Sequence, residues 1–273
     1  LIRCARSGSD APEDHTQGDF VLTRLTTWFE EHVRGFLTGH AEDDSHIELK
    51  KQHSLNVLAE ARAITQALGL GSRLADAAHL AALLHDVGRF PQYRDYKTFR
   101  DGLSTDHALL GVRSLRVRGV LDPLGPSLRA LVLGAVAMHN RRVVPRGVSP
   151  DLGTVTRVVR DSDKLDIVRI MLEHLRPGGK RSNVVVLHMA DEPERYSGEI
   201  VTQIRAGRIG DYAFMRYEND FKLLLLSWVF DLNFAPARRA FLERGHVEEL
   251  FGLLPRTPEL TQLQDSIYDV LNR

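Results

Sequence analysis

The sequence predicts an all-α protein, a helical bundle with additional helices at its C-terminal end. Segments with helical period follow one another along nearly the whole chain, alternating strand patterns are almost absent, and breaks rich in Gly, Pro and Asp divide the segments. With 273 residues, 43% of them hydrophobic, the chain can bury a sizeable core as one large domain or a core with an appendage. It shows no internal repeat and no low-complexity tract.

Residues 1–18 are polar and rich in Gly, Ser and Asp, and are expected to form a loose tail. Helical periods then run over 20–38, 47–68, 73–86, 105–118, 126–139, 152–175, 195–207, 217–232, 236–244, 246–253 and 259–271. The third should stop near His85 and Asp86, because Gly88 can take the left-handed conformation that closes a helix and Pro91 blocks its immediate resumption. Residues 89–104 mix aromatics with charge and read as a long connection, a kind of loop that is more often functional than not. The β-branched cluster 184–187, after Pro177-Gly178-Gly179, is either a short strand or a buried turn. The stretch 221–234 is too apolar for an exposed helix and should pack against the core or a second subunit, with Asp231 and Asn233 either lining a pocket or capping a helix end.

Thirty-six basic residues balance thirty-six acidic ones, so no global field favours nucleic acid or an anionic membrane, and any basic patch is local. Only six of the basic residues are lysine, a bias toward arginine that composition alone explains. The single cysteine, Cys4, cannot form an intrachain disulfide, which points to a reducing, cytoplasmic setting. Residues 1–19 lack the apolar stretch of a signal peptide, and the richest apolar run, 223–230, is far short of the roughly 20 residues that span a bilayer. A soluble protein is expected. The sequence opens on Leu1 rather than methionine, so residues upstream of it are expected too.

Several polar residues sit on apolar helix faces. His53 shares a face with Val57, Ala61, Ile64 and Leu68, and His139 continues the stripe of Leu128, Val132 and Ala135. His107 precedes Gly111 by one turn, where a missing side chain lets another group approach. Asp163 lies between Val159 and Ile167. Asp161 and Asp166 compete for the inward position, but the flanking apolar residues favour Asp163. His85 and Asp86 end a helix that is apolar nearly all round, and both reach one centre only if it lies beyond that end. Taken singly, each is a hydrogen-bonded core residue or a cap. Together, inward histidines and carboxylates from five helices need a common partner, and a metal centre satisfies them at once.

In order, His53, the doublet His85-Asp86, His107, His139 and Asp163, spaced by 32, 21, 32 and 24 residues, resemble the HD-domain superfamily of metal-dependent phosphohydrolases. Residues 81–89 look like its signature, residues 161–166 look like its closing aspartate helix, and the two intermediate histidines resemble its dinuclear branch. No Gly-Tyr-Pro follows His139, a departure from the cyclic-di-GMP branch. The resemblance covers about 47–175 and implies a metal-binding HD-domain helical core over 19–175, with a helical extension over 176–273 packed on it.

The resemblance also implies chemistry. His53, His85, Asp86 and Asp163 would hold one divalent transition metal (Fe, Mn, Co, Ni or Zn), His107 and His139 a second, with Asp86 bridging. A metal-bound hydroxide would attack phosphorus directly in a small phosphate ester, monoester or diester, with nucleotides the first class to test. Sequence position, not the resemblance, puts Arg89, Arg141, Arg142 and Lys164 at the rim of the site, where Arg89 and Lys164 would join Asp86 in catalysis and Arg141 and Arg142 would bind phosphate oxygens; the alternative is that some of thirty arginines fall beside the motif by chance. Tyr93, Tyr96 and Lys97 either form a substrate-stacking lid or belong to a packed loop whose aromatics cover helix ends. Two other readings share the fold: a mixed-valence diiron oxygenase and a non-catalytic nucleotide-sensing module. The expected partner is a small phosphate ester rather than a nucleic acid polymer or a membrane, and a homodimer is open.

Overall fold

A computed structural model of the chain describes residues 15–179, 184 and 189–272. Most of the tail expected over 1–18 lies outside these residues, its last four belonging to the first helix. Of the cluster 184–187 only Val184 is described.

Four helices form the central bundle: α2 (Ala41–Ala67), α3 (Ser72–Leu84), α6 (Pro126–Met138) and α7 (Pro150–Leu175). Helix α1 (His15–Arg34) covers α3, α5 (His107–Val117) packs on α6, and α4 (Arg89–Tyr96) joins α2 to α5. The C-terminal part contains α8 (Gly198–Arg205), α9 (Glu218–Ser227), α10 (Ala235–Glu243), α11 (His246–Gly252) and α12 (Pro258–Leu271), and α10 and α11 rest on α7. Among the described residues, the regular elements are helical, and extended backbone pairs at one isolated bridge, Ala190 to Tyr217. No helix among them is long and apolar enough to cross a membrane.

Local chemistry sets several of the boundaries. Ser149 accepts from the Leu152 amide with Pro150 behind it, Asp106 accepts from the Ala108 and Leu109 amides, and Thr257 accepts from Leu260 ahead of Pro258. In each case a side-chain oxygen satisfies amides that a first turn leaves without partners. Helix α7 has no single apolar stripe. Val155, Val158, Val159, Leu165, Val168 and Leu172 are buried, and so are Arg160, Asp161, Ser162, Lys164 and Asp166. The bundle covers one side of α7 and the C-terminal helices the other, so both faces must be accommodated.

The structure departs from the sequence reading at 85–104. The expected long connection is helical over α4 and again over a 3₁₀ turn, Asp101–Leu103. Pro91 is the third residue of α4, in a first turn where no amide is required of it. Gly88 is not left-handed, since its φ is −73°. Glycine is needed there for space: a Cβ would lie 2.0 Å from the His107 carbonyl oxygen and 2.6 Å from the Gly111 nitrogen. The chain after α3 therefore crosses α5 backbone to backbone. The apolar stretch 221–234 finds its cover within the chain, where Leu223, Leu224, Leu225 and Leu226 are fully buried and α9 packs on α8 and α11.

Candidate metal centre

The six polar residues come together from five helices. His53 lies in the middle of α2, His85 and Asp86 follow the end of α3, His107 opens α5, His139 follows the end of α6, and Asp163 lies within α7. His85 and His139 use the same device, each placing Nδ1 against the carbonyl three residues earlier: Ala82 at 2.7 Å and Val136 at 2.8 Å. The other two use carboxylates, with His53 Nδ1 2.7 Å from Asp166 Oδ2 and His107 Nδ1 2.7 Å from Asp101 Oδ2. Each neighbour is an acceptor, so Nδ1 donates in all four rings and Nε2 is the atom that carries the lone pair in the neutral ring.

These lone pairs converge. His53 and His85 Nε2 are 3.3 Å apart, and His107 and His139 Nε2 are 2.9 Å apart. Asp86 faces both pairs with different oxygens: Oδ2 is 3.6 Å from His53 and 3.7 Å from His85, while Oδ1 is 3.3 Å from His107 and 3.8 Å from His139. Asp163 Oδ1 is 3.0 Å from His53 Nε2 and 3.6 Å from His85 Nε2, and it is buried without a hydrogen-bond donor. Acceptors facing acceptors in a buried space call for a cation, and imidazole with carboxylate suits a divalent transition metal. The residues present therefore fit a metal, and three overlapping groups of them could hold an ion: His53 with His85 and Asp86, His85 with His139 and Asp163, and Asp86 with His107 and His139.

The electrostatics agree with that donor set. Burial opposes ionisation of Asp86, but Lys50, His85, Arg89 and His107 hold its carboxyl well below the usual range. Burial likewise opposes ionisation of Asp163, and His53 and His85 hold it down. Burial, then the neighbouring His107 and His85, lowers the pKa of His139 to about 3, so it stays neutral and able to donate a lone pair. Burial and Lys50 disfavour a proton on His53, yet Asp163 and Asp166 outweigh them and raise its pKa.

A cavity of about 710 Å³ opens on the cluster, and Asp86, His107, His139 and Asp163 line it. Arg89, Arg141, Arg142 and Lys164 line it too. Arg89 is held in place, with Nη1 donating to Gln92 Oε1, the Phe99 carbonyl and Asp101, and Nε 3.4 Å from Asp86 Oδ1. Lys164 Nζ pairs with Asp231 at 2.8 Å, Arg142 with Asp211 at 2.8 Å, and Arg141 lies 3.7 Å from Asp106.

Tyr93, Tyr96 and Lys97 do not line the cavity. Because 89–96 is a helix, Arg89 at its start stays beside the centre, whereas Tyr93 and Lys97 a turn or two on are carried toward α2. Tyr93 is buried with its hydroxyl 3.1 Å from Asp43 and 2.9 Å from His46 Nδ1, Lys97 pairs with Asp43 at 2.8 Å, and Tyr96 is exposed. Phe99 and Arg100, from the same segment, do reach the cavity.

Other residues at the site carry no sequence signal as strong as the histidines. Lys50, one turn before His53, places Nζ 2.9 Å from Asp86 Oδ2. Asp166 turns away from the ligand cluster to hold the far side of the His53 ring, where Asn56 and Arg169 steady it at 3.0 and 2.7 Å. Asp161 accepts from the Asn233 and Phe234 amides and the Asn233 side chain, which fastens the start of α10 to α7. Asp231 receives both Arg160 and Lys164. Tyr212 lines the mouth and is 52% exposed, but surrounding protein and the charge of Asp163 push its hydroxyl to about 12. Lys50 and Asp166 follow helical spacing from His53 and Asp163, Asp231 lines the cavity as one of its two sequence readings has it, and Asp101 and Tyr212 arrive only through tertiary folding.

No curated protein and no solved structure matches the chain. The family model of the HD domain matches residues 51–196, a span that holds all six converging residues, and the chain thus belongs to the HD-domain superfamily of metal-dependent phosphohydrolases.

Proposed function

We propose that this protein hydrolyses a small phosphate ester, a phosphomonoester or phosphodiester, using two divalent transition-metal ions held by His53, His85, Asp86, His107, His139 and Asp163. The supporting observation is the opposed use of the two Asp86 oxygens, each facing a different pair of imidazole Nε2 atoms beside a cation-lined cavity. When bound, such ions make water acidic enough to be a nucleophile near neutral pH and offset charge developing on phosphorus.

The protein's own residues supply the rest. Asp166 and Asp101 hold His53 and His107 in the tautomer that directs Nε2 inward. Arg89 fixes Asp101 and lies against Asp86, which makes it a positioning group for both carboxylates. Lys50 and Lys164 reach the cavity from α2 and α7, and Arg100, Arg141 and Arg142 add guanidinium groups at its lining, so the oxygens of one phosphate meet positive charge from several directions.

Metal analysis of purified protein, joined to a panel of phosphomonoesters and phosphodiesters under each candidate metal, tests this reading. Hydrolysis that requires metal and disappears in Asp86→Ala is expected. Activity retained by metal-depleted Asp86→Ala would overturn it. Oxygen consumption by the iron-loaded protein, with no turnover in zinc or manganese, would favour the oxygenase instead.

A further inference from the structure

The cavity is lined by two chemically different sets of side chains, one charged and one apolar. From Asp163, α7 carries Ile167, Ile170 and Met171 at offsets of four, seven and eight, all lining the same cavity. At 1.5 Å per residue, this apolar wall extends about 12 Å along the helix from the carboxylate at the cluster. Met215, Phe221 and Trp228 of the C-terminal part supply further lining, and each is buried.

The chain has four methionines, and Met171, Met189 and Met215 line this one cavity. Methionine offers a polarisable surface that adapts to irregular apolar shapes. The cationic lining residues are Lys50 on α2, Arg89 and Arg100 beside α3 and α4, Arg141 and Arg142 after α6, and Arg160 and Lys164 flanking Asp163 on α7; Asp211 and Asp231 of the C-terminal part also line the cavity and are paired with Arg142 and with Arg160 and Lys164. A volume of about 710 Å³ is much more than a bare phosphate needs and falls within the range of ligand pockets.

We infer that the substrate is amphipathic, a phosphate ester whose alcohol is a hydrocarbon or aryl group lying in the methionine-lined chamber. This rests on the phosphohydrolase reading above and specifies its substrate class. In the reaction, the oxygen of water bonds to phosphorus, the bond from phosphorus to the ester oxygen breaks, and that oxygen takes a proton to leave as a free alcohol held by apolar side chains. A nucleoside leaving group would bring its ring nitrogens and sugar hydroxyls against Ile170, Met171, Met215 and Phe221, whose side chains carry no hydrogen-bonding nitrogen or oxygen.

Two measurements test the assignment. Calorimetry on the metal-free protein compares methyl, butyl, hexyl and decyl phosphate with a nucleoside monophosphate. Burial of each methylene is worth roughly fourfold in affinity, so affinity should climb along the alkyl series and decyl phosphate should bind at least tenfold more tightly than the nucleotide. Met171→Gln and, separately, Met215→Gln should each reduce the decyl-to-methyl affinity ratio about tenfold, with thermal midpoints showing that both variants are folded. A flat alkyl series, or a nucleotide bound as tightly as decyl phosphate, overturns the inference. The same esters are then offered to the metal-loaded protein. An alkyl-dependent binding series without hydrolysis of any ester would retain the chamber and discard the hydrolase, whereas hydrolysis indifferent to chain length would retain the hydrolase and discard the chamber.

Discussion

The Nδ1 atom of His53 lies 2.7 Å from Oδ2 of Asp166, on the opposite edge of the ring from Asp163. Two carboxylates three residues apart on α7 thus grip one imidazole from both sides, one facing the cluster and the other behind the ring. Asp166→Ala should leave the six inward residues in place and weaken metal binding about 10- to 100-fold, the effect expected when a group behind a ligand is lost. Asp166→Asn, which keeps an acceptor oxygen, should retain most of the affinity. Metal-competition titration against a chromophoric chelator separates the two.

Gly88 and Gly111 set how close α5 comes to the His85-Asp86 doublet. A Cβ at Gly88 would meet backbone at 2.0 Å, whereas one at Gly111 would meet the Gly88 nitrogen and Val87 Cγ1 at 3.2 Å. Gly88→Ala is expected to destabilise by about 3 kcal/mol or more because backbone must move, and Gly111→Ala by about 1 kcal/mol. Urea denaturation gives the order. Equal losses at the two sites would contradict the backbone crossing as the cause.

Asp161 ties the C-terminal part to the bundle by accepting from Asn233 and Phe234. Asp161→Ala removes a buried acceptor and leaves these part-buried donors to find water, and should cost about 2 kcal/mol. The release of α10 should appear as faster amide exchange over 232–240 in hydrogen–deuterium exchange, well before global unfolding.

His32 stacks on Trp28 with ring centroids 4.9 Å apart, makes edge contacts with Phe36 and Phe90, and has no hydrogen-bond partner for either ring nitrogen among the described residues. Burial, with Arg118 adding to it, lowers its pKa to about 4. The unfolded chain takes up this proton below about pH 6.5 while the folded chain does not, so stability is full above 6.5 and falls as the pH drops toward 4. At pH 5 the loss amounts to at most about 2 kcal/mol. His32→Phe should narrow the gap between melting temperatures at pH 7.5 and pH 5. An unchanged gap would place the acid sensitivity elsewhere, with His79 and His246, whose burial also lowers them to about 4, the next sites to test.

The sequence by itself determined the helical class, because apolar residues at helical period and breaks such as Ser149-Pro150 and Thr257-Pro258 are local signals that need no distant partner. It also singled out His53, His85, Asp86, His107, His139 and Asp163, since a polar group on an apolar face is costly wherever the helix packs. Local pattern failed at α4, where a short helix of mixed composition has no clear stripe and Pro91 reads as a breaker unless its place in the first turn is known. The flanking apolar residues favoured Asp163 among the three aspartates on α7, but tertiary structure alone decided what the other two do: Asp161 goes to α10 and Asp166 goes behind His53, while Asp163 is left with its Oδ1 unpartnered. Tertiary structure also decided that Tyr93 and Lys97 face α2, that Asp101 supports His107, and that Met171 and Met215 line one cavity. The reason is physical. Helical period fixes the face on which a residue lies, but what that face meets depends on the packing of distant segments, 113 residues apart for His53 and Asp166.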